Sequence, residues 1–326
     1  MGTISYLTIC FIGIPFITAY NIISAIFRGM GDSKSPMYFI AIACAANIVL
    51  DYVFIGGLRL GPAGAALGTT CAQAISVVIS LCMIIRQRKD FRLSHNIMGQ
   101  ILKIGIPIAL QDGFIQVAFM IITIIANQRG LNDAAAVGIV EKIISFLFLI
   151  PSSMLSTVSA LGAQNIGAGK RQRANETLRY AVMITVGFGI IVGIFMQFFA
   201  SPVVALFTDA SDSQGAEVVR LGGQYLRGYV WDCMFAGIHF SFSGYFCACG
   251  KSGISFLHNI IAITLVRIPG VYLTSTLFPD TLFPMGLATA AGSLLSAIIC
   301  VVAFTILNRN EKRLILANKN TSDLKM

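Results

Sequence analysis

The chain has 326 residues, 56% of them hydrophobic and only 11% charged, with a mean hydropathy of +0.81. A soluble domain carries about 25% charged residues, so this balance excludes a water-soluble module and makes lipid the solvent. The formal net charge of +9 sits in short segments between apolar runs. With no basic face of a soluble domain to carry it, it is not a nucleic-acid signal.

Nine apolar runs predict membrane-spanning helices at about 5–27, 37–56, 64–85, 104–126, 134–158, 180–207, 225–249, 255–277 and 283–307. The first, Tyr6 to Phe27, reaches the roughly 20 residues a bilayer needs, and no cleavable signal peptide is read before it. Near the end of the second run stands Asp51, with Asn47 one turn earlier on the same face. A carboxylate beside an amide can hold a proton or a hard cation such as Na⁺; the plainer alternative is a wetted helix-end Asp. In the fourth run Asp112 follows Pro107, a residue that opens one helical hydrogen bond, and function and hydration stay open for it. Glu141 and Lys142, adjacent in the fifth run, read as lumen-facing or interfacial.

The stretch Gly162–Arg173 (GAQNIGAGKRQR) fails as a phosphate loop, because Arg171 stands where Ser or Thr is required and its flanks are apolar helices. No ATP motor is therefore expected. Asp232, next to Trp231 in the seventh run, reads either as an interfacial pair or as a functional carboxylate. His239 reads as a packed residue or a proton relay. Arg267, in the sequence LVRIP, is expected to pair with a carboxylate or a backbone carbonyl across the bundle. Asp112, Asp232, His239 and Arg267 together form a candidate polar network within the membrane. The eight cysteines fall in apolar runs without zinc-ligand spacing and read as packing residues. No catalytic or metal-ligand constellation argues for an enzyme.

Loop charge sets the expected topology. Arg28 and Lys34; Arg86, Arg88, Lys89, Arg92 and Lys103; Lys170, Arg171 and Arg173; Lys251; and Arg309, Lys312 and Arg313 occupy every second loop. The other loops hold Arg59, Arg129, Arg220 and an acidic stretch of Asp209, Asp212 and Glu217. The positive-inside rule puts the first set, and the C-terminus, in the cytoplasm of a multi-pass plasma-membrane protein.

The chain also repeats itself. With Tyr6 set on Tyr225, Leu7, Phe16, Ser24 and Phe27 meet Leu226, Phe235, Ser243 and Phe246. Gly31, Ser33, Ile42 and Ala43 meet Gly250, Ser252, Ile261 and Ala262, so that GDS matches GKS in equivalent loops. Pro62, Gly64 and Ala66 meet Pro284, Gly286 and Ala288 after a three-residue shift. Spans one to three thus match spans seven to nine, as in transporters built from parallel repeats around a substrate cavity. The expected domains are 1–92, half of one lobe with three helices; 93–310, a six-helix lobe; and 311–326, a cytoplasmic tail. By this arithmetic three further helices are expected before Met1, and the chain alone is expected to transport poorly.

The segments Arg28–Pro36 (RGMGDSKSP), Asn47–Ile55 (NIVLDYVFI), Gly61–Thr69 (GPAGAALGT), Lys103–Gln111 (KIGIPIALQ), Gly162–Ala174 and Leu265–Pro269, in this order, resemble the multidrug and toxic compound extrusion family, MATE. The resemblance covers nearly the whole chain. It implies helices four to twelve of a two-lobed, twelve-helix, all-α membrane transporter with parallel repeats. It further implies a rocker-switch antiporter that exports cationic or amphipathic organic molecules against H⁺ or Na⁺, with no other cofactor and no ATP. Asn47, Asp51 and Thr69 match three members of the family's N-lobe coupling-ion site; its first-helix Asp has no counterpart here. A lipid or lipid-linked oligosaccharide flippase of the same superfamily is the near alternative, a channel or intramembrane enzyme the distant one. The expected partners are a small organic substrate and membrane lipid.

The topology is checked by cysteine labelling. A cysteine at Arg88 is expected to resist an impermeant maleimide in intact cells and to react after permeabilisation; efficient labelling in intact cells would reverse the orientation.

Overall fold

A computed structural model describes residues 2–86, 95–208 and 212–323. Arg88, Lys89, Arg92 and Asp209, singled out above for their charge, lie outside the described residues, and of Lys312 and Arg313 only the backbone is described. The described elements are twelve α-helices and two π-helical turns: α1 (Gly2–Gly29), α2 (Lys34–Asp51), α3 (Gly61–Arg86), α4 (His95–Arg129), α5 (Leu131–Leu147), α6 (Leu149–Gly167), α7 (Arg171–Ala205), α8 (Ser213–Tyr229), α9 (Asp232–Ala248), α10 (Ser252–Ala262), α11 (Ile268–Leu277) and α12 (Phe283–Asp323). A π-helical turn, Tyr52–Gly57, extends α2, and a second, Ile263–Arg267, joins α10 to α11. In a π turn the hydrogen bond spans five residues, one more than in the α-helix, so the faces before and after it are rotated out of step.

Seven stretches are each long and apolar enough to cross a bilayer, and the bent pair α5–α6 makes an eighth. That pair covers the fifth expected span, with a bend of 40°. The bend falls at Phe148, where Pro151 has no N–H to offer the carbonyl of Leu147 four residues back. The seventh expected span, 225–249, is not one helix. It is divided at Val230 and Trp231 between α8 and α9, each of 17 residues. The segment expected as a tail continues α12 as helix to Asp323. Large apolar side chains such as Ile191 and Phe198 point outward, as they do where lipid covers the helices.

The chain divides into two units, Met1–Ser94 and His95–Met326. In the first, α1 and α2 both pack on α3, around Tyr20, Ile23, Phe27, Phe39, Val77 and Ile84. The rings of Phe27 and Phe39 meet edge-on at 5.6 Å. In the second, α9 packs against α6, α7 and α12, while α10 lies between α4 and α12.

The repeat is visible in both units. As α1 and α2 pack on α3, so α8, α9, α10 and α11 pack on α12. The matched GDS and GKS loops have a common cause: Gly31 and Gly250 both turn the chain with positive φ, 86° and 68°, a conformation that costs glycine little. After Gly31 the Asp32 carboxylate accepts from the backbone N–H of Lys34 and Ser35 and from the Ser35 hydroxyl, which starts α2.

Polar loop residues outside the spans have structural roles. Asp212 caps α8 by accepting from Gly215 N–H. Arg220 grips Glu217 through two nitrogens at 2.8 and 2.6 Å, and this hydrogen bonding holds the Glu217 carboxyl below its ordinary range. Arg129, at the end of α4, donates to the carbonyls of Ser275, Phe278, Pro279 and Thr281 and to Asp133. Those carbonyls lie at and beyond the end of α11, where a helix has no partners of its own. Only a planar fork reaches so many acceptors at once. Arg129→Lys is accordingly expected to lower stability by about 1–3 kcal/mol, read as earlier unfolding of the detergent-solubilised chain. An unchanged melting curve would mean that these contacts contribute nothing.

Candidate functional site

Two clusters of polar side chains lie within spanning helices, one in each unit. In the first unit Asp51 is the last residue of α2, directly before the π turn Tyr52–Gly57. Its carboxylate faces Gly68 of α3, where a Cβ would collide with Asp51 Oδ1 and come within 3.5 Å of Asn47 Nδ2. The absent side chain at Gly68 is what lets the carboxylate lie against α3.

Thr69, the next residue, donates its hydroxyl to Ala65 O at 3.1 Å. With Asn47 and Gln73 it lines a cavity of about 140 Å³; Asp51 is not among the lining residues. Asp51 Oδ1, Asn47 Nδ2 and Gln73 Oε1 are buried with no hydrogen-bond partner. Most buried polar atoms are partnered, so three orphans on two facing helices set this cluster apart from ordinary packing. The carboxylate, the Gln73 amide oxygen and the Thr69 hydroxyl are hard oxygen donors, suited to a proton-bearing water or a hard cation. The sequence reading missed Gln73. Its signal was its place one turn after Thr69, a second polar residue on the same face of an apolar helix.

The second unit has a larger, partly open cavity of about 390 Å³, at which α4, α5, α6, α9, α10, α12 and the second π turn meet. At one side stands a buried ion pair, Arg267 Nη2 to Asp232 Oδ2 at 2.6 Å. Asp232 is fully buried and Arg267 is 8% exposed. Arg267 also donates to Ser293 Oγ at 3.2 Å and, through Nε, to Thr289 O at 3.3 Å, and its guanidinium carbon lies 6.0 Å from the centre of the Phe119 ring. The break between α8 and α9 makes Asp232 the first residue of α9, where the helix dipole favours a negative charge. The carboxylate is buried within the bundle, while its neighbour Trp231 packs toward α7. Arg267 finds both partners expected of it, a carboxylate and a backbone carbonyl.

His239 lines the same cavity, its ring 5.7 Å from that of His258. His258 was not anticipated. It bridges the Ser243 hydroxyl, at 3.0 Å, and the Ser296 hydroxyl, at 2.6 Å. Of the four residues expected to form a polar network, three line this cavity; Asp112, one turn before the lining residues Ile115 and Gln116 of α4, is not among them. Its buried neighbour Gln111 instead accepts from Ser255 at 2.6 Å. Asn259, another unanticipated lining residue, has a buried Nδ2 without a partner. Among the described residues no three His, Cys, Asp or Glu side chains cluster as metal ligands. The glycine-rich stretch tested as a phosphate loop is the end of α6, a turn at Gly169 with φ 72°, and the start of α7.

The profile of the MatE family matches residues 3–53 and 107–273, which together exceed half the chain. The chain belongs to the MatE family. Among its relatives is the "Probable multidrug resistance protein YpnP" of Bacillus subtilis (strain 168), 31% identical over 276 residues, a match covering 83% of this chain and 61% of that protein. The "FAD transporter" of Shewanella oneidensis is 26% identical over 308 residues, covering 90% of this chain and 66% of that one. The fold is that of the crystal structure of MATE in complex with MaL6, with a TM-score of 0.88 at 20% identity over 95% of this chain and 70% of that one. This chain spans about three fifths of the length of its Bacillus relative. The two MatE segments contain Asn47, Asp51, Asp112, Asp232, His239 and Arg267, but not Thr69 or Gln73.

In this MatE chain the buried pair is tested by removing one charge or both. Arg267→Met is expected to destabilise by about 3–5 kcal/mol, because it strands the Asp232 carboxylate, whereas Asp232→Leu with Arg267→Met is expected to cost far less. A double-mutant cycle on thermal unfolding in detergent reads the difference; additive losses would mean the pair is not coupled.

Proposed function

We propose that the chain is part of a secondary antiporter that exports small organic compounds, cationic or amphipathic, in exchange for H⁺ or Na⁺. The observation that carries this reading is the buried, unpartnered Asp51 Oδ1 at a π turn within a spanning segment. A carboxylate there must be protonated, hydrated or matched by a cation. Binding of either ion neutralises it, and that can drive a change of conformation when the ion binds the two states unequally. Asn47, Thr69 and Gln73 surround the site with neutral polar groups that can help to hold the ion or its water. The names of relatives support export. YpnP of Bacillus subtilis is named a probable multidrug resistance protein, and MepA of Staphylococcus haemolyticus, 27% identical, a multidrug export protein. The Shewanella oneidensis relative, named an FAD transporter, extends the range to larger heteroaromatic cargo. The mechanism is rocker-switch alternating access in the plasma membrane, driven by the ion gradient, with no nucleotide motor and with the C-terminus in the cytoplasm.

The test uses the chain in proteoliposomes. Export of ethidium is expected when a H⁺ or a Na⁺ gradient is imposed and is expected to stop when that gradient is collapsed. Asp51→Asn is expected to abolish this flux while leaving insertion intact. Thr69→Ala and Gln73→Ala are expected to reduce it several-fold, since each removes a neutral ligand. Wild-type flux and ion dependence in Asp51→Asn would sink the assignment.

A further inference from the structure

The second copy of the internal repeat carries polar residues where the first carries apolar ones, so the first copy serves as a built-in control. In the register that sets Tyr6 on Tyr225, His258 and Asn259 stand where Phe39 and Ile40 stand in the first copy. In the register of Pro62 and Pro284, Ser293 and Ser296 stand where Cys71 and Ala74 do. Phe39 belongs to the apolar core of the first unit, where its ring meets Phe27. The helical frame does not need strong hydrogen bonds at these places, and their polarity in the second copy calls for its own explanation.

In the second unit these residues belong to two hydrogen-bonded groups. In one, Arg267 holds Asp232 at 2.6 Å and donates to the Ser293 hydroxyl at 3.2 Å. In the other, His258 lies between the hydroxyls of Ser296, at 2.6 Å, and Ser243, at 3.0 Å. A small cavity of about 10 Å³ touches both groups: Ser293 and Ser296, one turn apart on α12, line it together with Asn259 and Arg267. A single water needs roughly 10–15 Å³ and two to four polar partners. This cavity offers four such side chains and has no room for an organic molecule. The Asn259 amide adds to the case, since its nitrogen is buried and has no protein partner.

We propose that one resident water occupies this cavity and joins the two groups into a single hydrogen-bonded belt. The belt runs from Asp232 through Arg267, Ser293, the water, Ser296 and His258 to Ser243. It begins and ends on α9 and takes in the second π turn, α12 and α10 on the way. A hydrogen bond changed at the ion pair is then felt at His258, and the reverse, because linked hydrogen bonds polarise one another. The water is a structural ligand of the second unit, and the proposal does not rest on the transport reading.

X-ray footprinting of the purified chain in detergent reads the water directly, because irradiation splits a bound water into a hydroxyl radical that oxidises the nearest side chain. Ile263, the first residue of the π turn, lines the small cavity and is 4% exposed. Ile122, 1% exposed, lines neither cavity and has the same intrinsic reactivity. Ile263 is expected to be oxidised at least fivefold faster than Ile122. Asn259→Ile, which installs the side chain found in the first copy, is expected to displace the water and bring Ile263 down to the Ile122 rate.

A double-mutant cycle on thermal unfolding gives a second arm. Ser293 and Ser296 bind different protein partners, so without a water their removal is additive. With the water shared between them, Ser293→Ala combined with Ser296→Ala is expected to lower Tm by no more than about three quarters of the summed single shifts. Ile263 oxidised no faster than Ile122 would overturn the proposal. So would an unchanged Ile263 rate in an Asn259→Ile chain that melts like the parent. Should that chain not fold, the serine cycle decides, and additive shifts would overturn the belt.

Discussion

An arginine inside a membrane-spanning bundle has to be neutralised by protein, because lipid offers nothing to a guanidinium. In the second unit that requirement organises the local architecture. Arg267 is the last residue of a π-helical turn, Asp232 the first residue of α9 after a break, and Ser293 and Thr289 belong to α12. Three departures from plain helix packing therefore converge on one ion pair: a widened turn, an interrupted span, and hydroxyl and carbonyl groups of a third helix turned inward. A buried pair of this kind is weak evidence for stability, since well-packed apolar residues often do as well.

The two copies of the internal repeat use the same scaffold for different electrostatics. In both, the second span of the copy contains a π turn, at its end after Asp51 in one and within it, ending at Arg267, in the other. Such turns recur at functional sites because they release a helix from strict register and redirect its side chains. In the first copy the result is a carboxylate with an oxygen left open; in the second it is a cation already matched to a carboxylate. One supersecondary frame thus carries two different charge arrangements through the choice of a few residues on it.

Hydropathy made the spans legible, because a long apolar run has few other uses, and the matched glycines of the two loops announced turns that do adopt positive φ. The bend at Phe148 was latent in Pro151. The break at Val230 and Trp231 and both π turns were not legible, because they arise where neighbouring helices meet and not from local composition. Each of Asp232, His239 and Arg267 stood out as an ionisable residue in an apolar run. That Asp232 and Arg267 are partners could not be read, since 35 residues separate them and only the fold joins them. Gln73, Asn259 and His258 went unnoticed because a single neutral polar residue in a spanning helix usually packs against backbone. Asp112, equally conspicuous in the sequence, stands one turn before the cavity-lining Ile115 and Gln116.

The joint between α8 and α9 carries the chain's single tryptophan. Trp231 directly precedes the buried Asp232, and its indole lies so close to α7 that a Cβ at Gly193 would come within 2.9 Å of the ring. The emission of the whole protein in the tryptophan band therefore originates at one point, at the edge of the buried ion pair. Any rearrangement that slides α9 along α7 must change the packing of that indole and so its spectrum. The molecule thus carries its own optical probe at the joint between α8 and α9, and no label has to be introduced to read it.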